Sequence, residues 1–586
     1  MSTASKIRIL LLLLALAIAF YFVTQRLAGG PPASRVAAGS TLLLELGGHY
    51  VEAPAASPLA RLAGDETRPF IGLLAMFSLA ERDDRLETVV LRIRPLDIGW
   101  GKADELRDAI GRLRAKGRHT IAWLEIQSFQ ASKELYVATA ADEVYVTPGA
   151  GLPLVGLAAE YVFLGGFWEK LGIDFDVAKA GRYKSAVEVY TERGMSEASK
   201  EMADSLLDDT YARFVEGLAV GRGLAFDDVI AGIDSGAVRT QSLEALGLVD
   251  GEIHLDQLLD RLDAPVVRHG DYARTDPASV GFDADGEIAL VYGTGAVVQG
   301  DAGDSPFEPV PRFASESVSR AILEAAEDPD ILAIVLRIDS PGGSALASEL
   351  IWRALEQARA KGKPVVASFS DVAASGGYYV ASAADRIVSP PGTLTGSIGV
   401  FALRPTVGGL LEKLDIGIDS VTRGRHADFL LSSEKLSPAA LARLDTSVQD
   451  TYQLFLSRVA NGRALSVERV DEIAQGRVWT GRQAHERGLV DRLGGLYEAV
   501  RVAKELAGRS PDDDVFLVPF PKQKSLTQQL VEAFQQTAVR AAQEASPVPD
   551  LSRRGWPSPV AQAFELSRSL PMGAPLLVPP VLVDIH

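Results

Sequence analysis

The chain contains itself twice. Around residue 90 it reads TVVLRIRPLDIGWGKADELRDAIGRLRAKGRHTIAWL and around residue 335 LAIVLRIDSPGGSALASELIWRALEQARAKGKPVVASF, so that Leu91 matches Leu336 and Lys116 matches Lys361 at an offset of 245. Further on, YVATAADEVYVTPGA from Tyr136 answers YVASAADRIVSPPGT from Tyr379, and GGFWEKLGIDFDVAKAGRYKS from Gly165 answers GGLLEKLDIGIDSVTRGRHAD from Gly408, now at an offset of 243. ALGLVDGEI near Gly247 and ERGLVDRLGG near Gly488 close the two copies. Agreement at a nearly fixed offset marks a duplicated domain of roughly 240 residues. Whatever one copy folds into, the other must fold into as well.

Within each copy, apolar β-rich runs (Val89–Ile93, Ile334–Ile338) alternate with helical patterns (Ala103–Lys116, Ala345–Lys361). That alternation predicts parallel strands joined by right-handed helical crossovers, an α/β layered fold. Amphipathic stretches after residues 195 and 435 predict one helical arm per copy, covering the core or making a subunit contact. The first copy spans 41–280 and the second 281–515. Residues 516–586, which run through PFPKQKS to the apolar PLLVPPVLV, read as a tail packed on the body or on a neighbour. With 586 residues, 47% of them hydrophobic, the chain has material for two cores.

At the N-terminus, Lys6 and Arg8 precede an unbroken apolar run from Ile9 to Val23, closed by Thr24, Gln25 and Arg26. Fifteen residues rise about 22 Å, a little short of a hydrocarbon core of about 30 Å, so flanking residues must help. Ala28-Gly29-Gly30 could serve as a cleavage site, but no small-x-small pattern directly follows the run. Residues 1–28 are therefore expected to form a retained anchor with membrane lipid as partner, rather than a signal-peptide core. The basic residues ahead of the run predict a cytoplasmic N-terminus and an extracytoplasmic body. Residues 29–40, rich in Gly, Pro, Ala and Ser, read as a linker. The net charge of -18 argues against a nucleic-acid partner. With no cysteine, thiolate catalysis, disulfides and Cys-ligated metals are excluded.

The places where the copies disagree carry the chemistry. After its strand copy two reads Asp339-Ser340-Pro341-Gly342-Gly343-Ser344, where copy one reads Arg94-Pro95-Leu96-Asp97-Ile98-Gly99. Copy two has Ser375-Gly376-Gly377, whereas the aligned Ser132 is followed by Lys133 and Glu134. In the other direction, Gly181-Arg182-Tyr183-Lys184 of copy one is answered by Gly424-Arg425-His426-Ala427. The half that keeps the glycines has lost the lysine. Complementary losses predict one composite site, with Ser375 from the second half and Lys184 from the first.

Ser375 stands where an apolar strand turns into a helix, at the positive end of a helix dipole. It could be a nucleophile or could simply cap the helix. Gly376 and Gly377 leave room there for a substrate backbone. The N–H groups of Gly343 and Gly376 could hold a developing oxyanion, while Gly342 and Gly343 could equally form only a tight turn. Lys184 can act as a base if burial lowers its pKa, and Tyr183, Val187 and Val189 could desolvate it; otherwise it is a solvated surface lysine. Ser185 could orient its ammonium by a hydrogen bond. Of seven histidines only His426 lies in a motif-bearing loop, and its bland reading is a satisfied or exposed ring. No HExxH or Walker loop is present, so neither metal nor cofactor is expected.

SPGGS after a strand, ASGGYY, GRYKS and GLVDRLGG at a repeat end together resemble the signal peptide peptidase A family in its long, membrane-anchored, duplicated form. The resemblance covers about residues 40–515 and the anchor. It implies two tandem crotonase-like or Clp-like α/β repeats with helical arms, preceded by one transmembrane helix. It implies a Ser–Lys dyad endopeptidase, with Ser375 as nucleophile and Lys184 as general base, that degrades cleaved signal peptides and other short apolar unfolded peptides. It also implies a homotetramer in the bacterial inner membrane with its catalytic repeats on the periplasmic side. Two readings from other classes stand beside it. One is a crotonase-like acyl-CoA thioester enzyme; the other is a catalytically inactive membrane scaffold whose serine and lysine lie apart.

Overall fold

The computed structural model describes residues 36–53, 68–128, 131–302, 312–522 and the pair Leu576–Leu577. In the first copy β1 (Ser40–Val51), α1 (Phe70–Arg82), β2 (Leu86–Asp97), α2 (Trp100–Ala115), β3 (His119–Leu124), α3 (Ser132–Ala138) and β4 (Glu143–Val146) follow one another. The four strands pair in parallel, in the order β1-β2-β3-β4. Their residues are apolar without alternation because both faces of the sheet are covered. Val89 and Leu91 join one buried cluster, while Val90 packs on the other side with Leu258. The next strand, β5 (Asp174–Ala180), leaves this sheet. The arm α4 (Glu197–Arg222) starts where the Ser196 hydroxyl accepts the N–H of Ser199 and stops at Gly223, whose φ is 67°.

The second copy runs through β6 (Glu287–Thr294), β7 (Ala296–Val298), α5 (Ser315–Glu327), β8 (Ile331–Ser340), β9 (Gly343–Ser344), α6 (Ala345–Ala360), β10 (Val365–Ala374) and α7 (Gly376–Ala381). It continues with β11 (Leu394–Gly396), β12 (Val400–Thr406), the arm α8 (Pro438–Arg463) and β13 (Val478–Thr480). The main sheet is ordered β13-β11-β10-β8-β6, parallel except for β13, and ends on β14 (Phe516–Phe520). The copy thus runs past residue 515 into what reads as tail. The two arms have the same length, 26 residues.

A third sheet ties the copies together. β5, from copy one, pairs antiparallel with β12, from copy two, from Val400 opposite Ala180 to Thr406 opposite Asp174. On the other edge of β12 lies β15 (Leu576–Leu577), which also pairs antiparallel with β9. A second tie is ionic and buried. The N–H groups of Gly99 and Lys102, in the first turn of α2, donate to the Asp371 carboxylate on β10 at 3.0 and 2.8 Å. Lys102 Nζ lies 2.7, 2.8 and 3.2 Å from carboxylate oxygens of Asp371, Asp339 and Glu52. Arg337 on β8 donates to Glu52 at 2.9 Å and to Glu105 at 2.5 Å.

Among the described residues no helix is long and apolar enough to cross a membrane. The expected anchor, residues 1–28, and the expected linker as far as residue 35 lie outside the described residues. Beyond Lys522 only β15 is described.

Candidate active site

β10 ends at Ala374 and α7 begins at Gly376, leaving Ser375 at the corner with φ 53° and ψ −112°. A residue with a side chain is strained there by on the order of 1–3 kcal/mol. The corner is held by the Ser375 N–H, which donates to Gly396 O at 2.8 Å, and by its carbonyl, which accepts the Tyr379 N–H at 2.8 Å. The hydroxyl makes no cap to α7, so Ser375 is not a simple helix cap. Its Oγ lies instead 2.7 Å from Lys184 Nζ, within one chain.

The third sheet delivers that lysine. Because Ala180 sits opposite Val400, the chain leaving β5 toward Lys184 runs beside the chain entering β12 from Ser397. Gly181 turns with φ 108°, and the Tyr183 N–H donates to Gln475 O at 2.7 Å. Gly476 N–H donates in turn to Ile398 O at 2.8 Å. A Cβ on Gly476 would lie 2.7 Å from Lys184 Cα, so only glycine lets the lysine in. Lys184 Nζ also reaches the carbonyl and the hydroxyl of Ser397, each at 3.0 Å. Ser397 itself is held at φ 50°. Lys184, Ser375 and Ser397 are all fully buried. Burial holds the pKa of Lys184 well below the usual 10.5, because a charged ammonium is disfavoured in a medium of low dielectric.

The glycines pack the other side. Gly342 and Gly343 have φ of 100° and 155°, backbone that side chains resist. A Cβ on Gly376 would sit 3.1 Å from Gly343 N and 3.3 Å from Gly342 Cα, and one on Gly377 would sit 3.1 Å from Ser340 O. The end of β8 and the start of α7 therefore interlock with no space for a methyl group. This places the Gly343 N–H next to the first residue of α7, whose own N–H lies outside the helical ladder.

One expectation is corrected and one residue is added. Ser185 does not orient the lysine: its buried hydroxyl has no partner among the described residues. Ser397 does; the one signal the sequence offered for it is that Leu154 stands 243 residues earlier in copy one. His426 is not at the site; it heads the short turn Ala427–Leu430. The counterpart site in copy one is filled by side chains. Glu134, aligned with Gly377, accepts the Leu96 N–H at 2.7 Å, and Lys133, aligned with Gly376, donates to Ile98 O at 2.8 Å. Among the described residues Ser132 Oγ makes one contact, at 3.4 Å to Gly156 O. An inactive scaffold required Ser375 and Lys184 to lie apart, and they are in contact.

Two stretches, residues 113–267 and 357–510, one in each copy, match the profile of peptidase family S49. The chain belongs to peptidase family S49. "Serine protease SPPA, chloroplastic" of Arabidopsis thaliana is 35% identical over 513 residues, covering 85% of this S49 chain and 74% of that protein. "Protease 4" of Haemophilus influenzae is 28% identical over 524 residues, covering 83% and 82%. This S49 peptidase is a serine protease built from two family repeats of α/β fold, and an acyl-CoA enzyme is the wrong class. Among solved structures, the 1510-N membrane-bound stomatin-specific protease aligns over 40% of this chain and 98% of its own, at 18% identity and a TM-score of 0.26, too loose a likeness to place a residue.

Proposed function

We propose that this S49 protease cuts peptide bonds with a Ser–Lys dyad, Ser375 being the nucleophile and Lys184 the general base. The observation that carries the reading is the 2.7 Å approach of Nζ to Oγ at a lysine whose pKa burial lowers. A neutral amine has two N–H groups and one lone pair. The carbonyl and hydroxyl of Ser397 take the two N–H groups, which leaves the lone pair for the Ser375 O–H. As Oγ attacks a peptide carbonyl its proton passes to Nζ, and the ammonium then gives it to the leaving amine. Gly343 and Gly376 offer their N–H groups to the oxyanion, each worth about 3 kcal/mol. Water activated by the same amine then hydrolyses the acyl-enzyme. Ser375→Ala and Lys184→Ala should each lower cleavage of an apolar reporter peptide by about 10³-fold or more, and Ser132→Ala should leave it within about twofold. Comparable residual cleavage in all three would sink the dyad.

The substrates we propose are short, apolar, unfolded peptides, cleaved signal peptides foremost, a reading supported by the resemblance of the motifs. We place the anchor, residues 1–28, in a bacterial inner membrane with both copies on the extracytoplasmic side, as Lys6 and Arg8 ahead of the apolar run suggest. Release of the chain from membranes by a carbonate wash would remove the anchor.

Unfinished symmetry supports a homo-oligomer. At the offset of 243, residues 417–423 are the counterpart of β5 and 157–163 that of β12. The former are exposed and outside any strand, with Val421 at 86%, and Val162 in the latter is 38% exposed. Laying 417–423 of one molecule along 157–163 of the next would repeat the internal contact head to tail and close a ring, a tetramer by the resemblance. Val421→Asp should lower the mass measured by sedimentation; an unchanged mass would exclude this contact.

A further inference from the structure

β10 does not run straight to Ser375. Ile338 of β8 stands opposite Phe369, but Ser340 stands opposite Ala373, so that Asp339 alone faces Ser370, Asp371 and Val372. This is a bulge, which bends a strand and re-aims the side chains beyond it. β10 also changes partner there: residues 366–368 pair with 386–388, and residues 372–374 with 394–396 in β11. The segment past the bulge leads to Ser375, whose N–H continues the pairing by donating to Gly396 O. The direction in which Ser375 leaves the sheet is therefore set at the bulge.

Copy one grips this bend. The Ser370 hydroxyl donates to Glu52. The Asp371 carboxylate accepts the Gly99 and Lys102 N–H groups at 3.0 and 2.8 Å and the Lys102 ammonium at 2.7 Å. The Val372 N–H donates at 3.1 Å to Asp339, whose other oxygen accepts from the same ammonium at 2.8 Å. α2 comes so near that a side chain on Gly101 would collide with Ser370 O. The mirror-image grip cannot form, because Lys102 faces Ala347 at the offset of 245 and Asp371 faces Ser128 at 243. As with Lys184 and Ser375, each copy keeps the half that the other lacks. A tie that only joined the copies could fall anywhere along their junction; this one falls on the bend that points Ser375.

We propose that Asp371 is a positioning residue for Ser375: clamped by Lys102 and the first turn of α2, it fixes the bulge so that Oγ meets Lys184 Nζ. The proposal rests on the dyad reading above for what is aimed. Copy one then contributes twice, supplying the base and holding the strand that brings the serine to it.

The test is the full-length enzyme carrying Asp371→Ala, with turnover counted per folded molecule. Misplacing a reacting atom by about 1 Å can cost about 10²-fold. The kcat for an apolar reporter peptide should fall by about that factor while KM stays within about twofold, because Asp371 acts on Ser375 and not on the bound peptide. Asp371→Asn keeps an oxygen for the Lys102 N–H but no charge for the ammonium, and its kcat should fall only about tenfold. If Asp371→Ala does not fold, the same readings on Asp371→Asn decide. Trimethylamine N-oxide strengthens burial, so it should raise the melting point of either variant without returning kcat. Recovery of kcat in the osmolyte, or a parental kcat in the folded variant, overturns the proposal, for Asp371 would then serve stability alone. A crystal structure of Asp371→Ala reads the aim without catalysis. An Oγ moved by about 1 Å or more from its place beside Nζ upholds the clamp even if the dyad reading fails. An Oγ still 2.7 Å from Nζ overturns the clamp and leaves the dyad standing.

Discussion

Two lysines are buried at the meeting of the copies, and they are opposite in chemistry. Lys102 is 3% exposed and Lys184 0%. For Lys102 burial works against the charge, yet Asp339, Asp371 and Glu52 outweigh it and hold the pKa well above 10.5. Among the described residues Lys184 Nζ meets two hydroxyls and a carbonyl, at 2.7 to 3.0 Å, and burial lowers its pKa. The first is a permanent cation that fastens α2 to β10; the second is an amine able to take a proton. What leaves a buried lysine neutral, and so free to accept a proton, is the absence of a carboxylate beside it.

Ser397→Asp should erase that difference. A carboxylate beside Nζ would keep Lys184 charged, as Lys102 is, and kcat should fall by about 10³-fold with the fold intact. A kcat within about tenfold of the parent would mean that the charge of Lys184 does not govern the reaction.

The methionine variants should move stability in opposite directions. Lys102→Met strands the buried Glu52 carboxylate and the partly exposed ones of Asp339 and Asp371 and should cost about 3–5 kcal/mol. For Lys184, the unfolded chain keeps its proton up to about pH 10.5, whereas the folded chain releases it well below. Between those two values the unfolded state binds more protons, so the parent loses stability as pH falls through that window. Lys184→Met should therefore gain about 1 kcal/mol near pH 7, the gain shrinking as pH approaches the lysine value. Denaturant titrations at both pH values check the pair; a loss in both variants would put the two lysines in one class.

The smallest effects separate the serines around Nζ. In the parent, kcat/KM should rise with pH and level off below pH 10.5, as an amine with a lowered pKa becomes neutral. Ser397→Ala should lower kcat about tenfold and shift that rise to lower pH, since the ammonium loses an acceptor. Ser185→Ala, which removes an unpartnered hydroxyl, should do neither.

The repeats, the layered fold and the Ser375–Lys184 pair were legible because duplication gives each position its own control. A lysine facing Ala427 and glycines facing Lys133 and Glu134 stand out by subtraction. Ser397 differs from its counterpart Leu154 in the same way, but TGSIGV carries no chemical signature, and its place beside Lys184 comes from β5 pairing with β12. No local pattern encodes that contact. Ser185 misled because adjacency in sequence says nothing about adjacency across a turn. Lys102, Glu105 and Arg337 look like ordinary solvent-facing charges until α2 docks on the other copy. β15 was unreadable because its partners lie 175 or more residues away.

Gly476 is the last residue to arrive among those that enclose Lys184. A polypeptide leaving the ribosome carries its lysine first, its serine next and this clasp later still. Until residues 475 and 476 emerge, water surrounds the amine, which keeps its proton and cannot activate a hydroxyl. On the proposed dyad the order of residues along the chain thus sets the moment before which it cannot act as a protease, the emergence of residues 475 and 476.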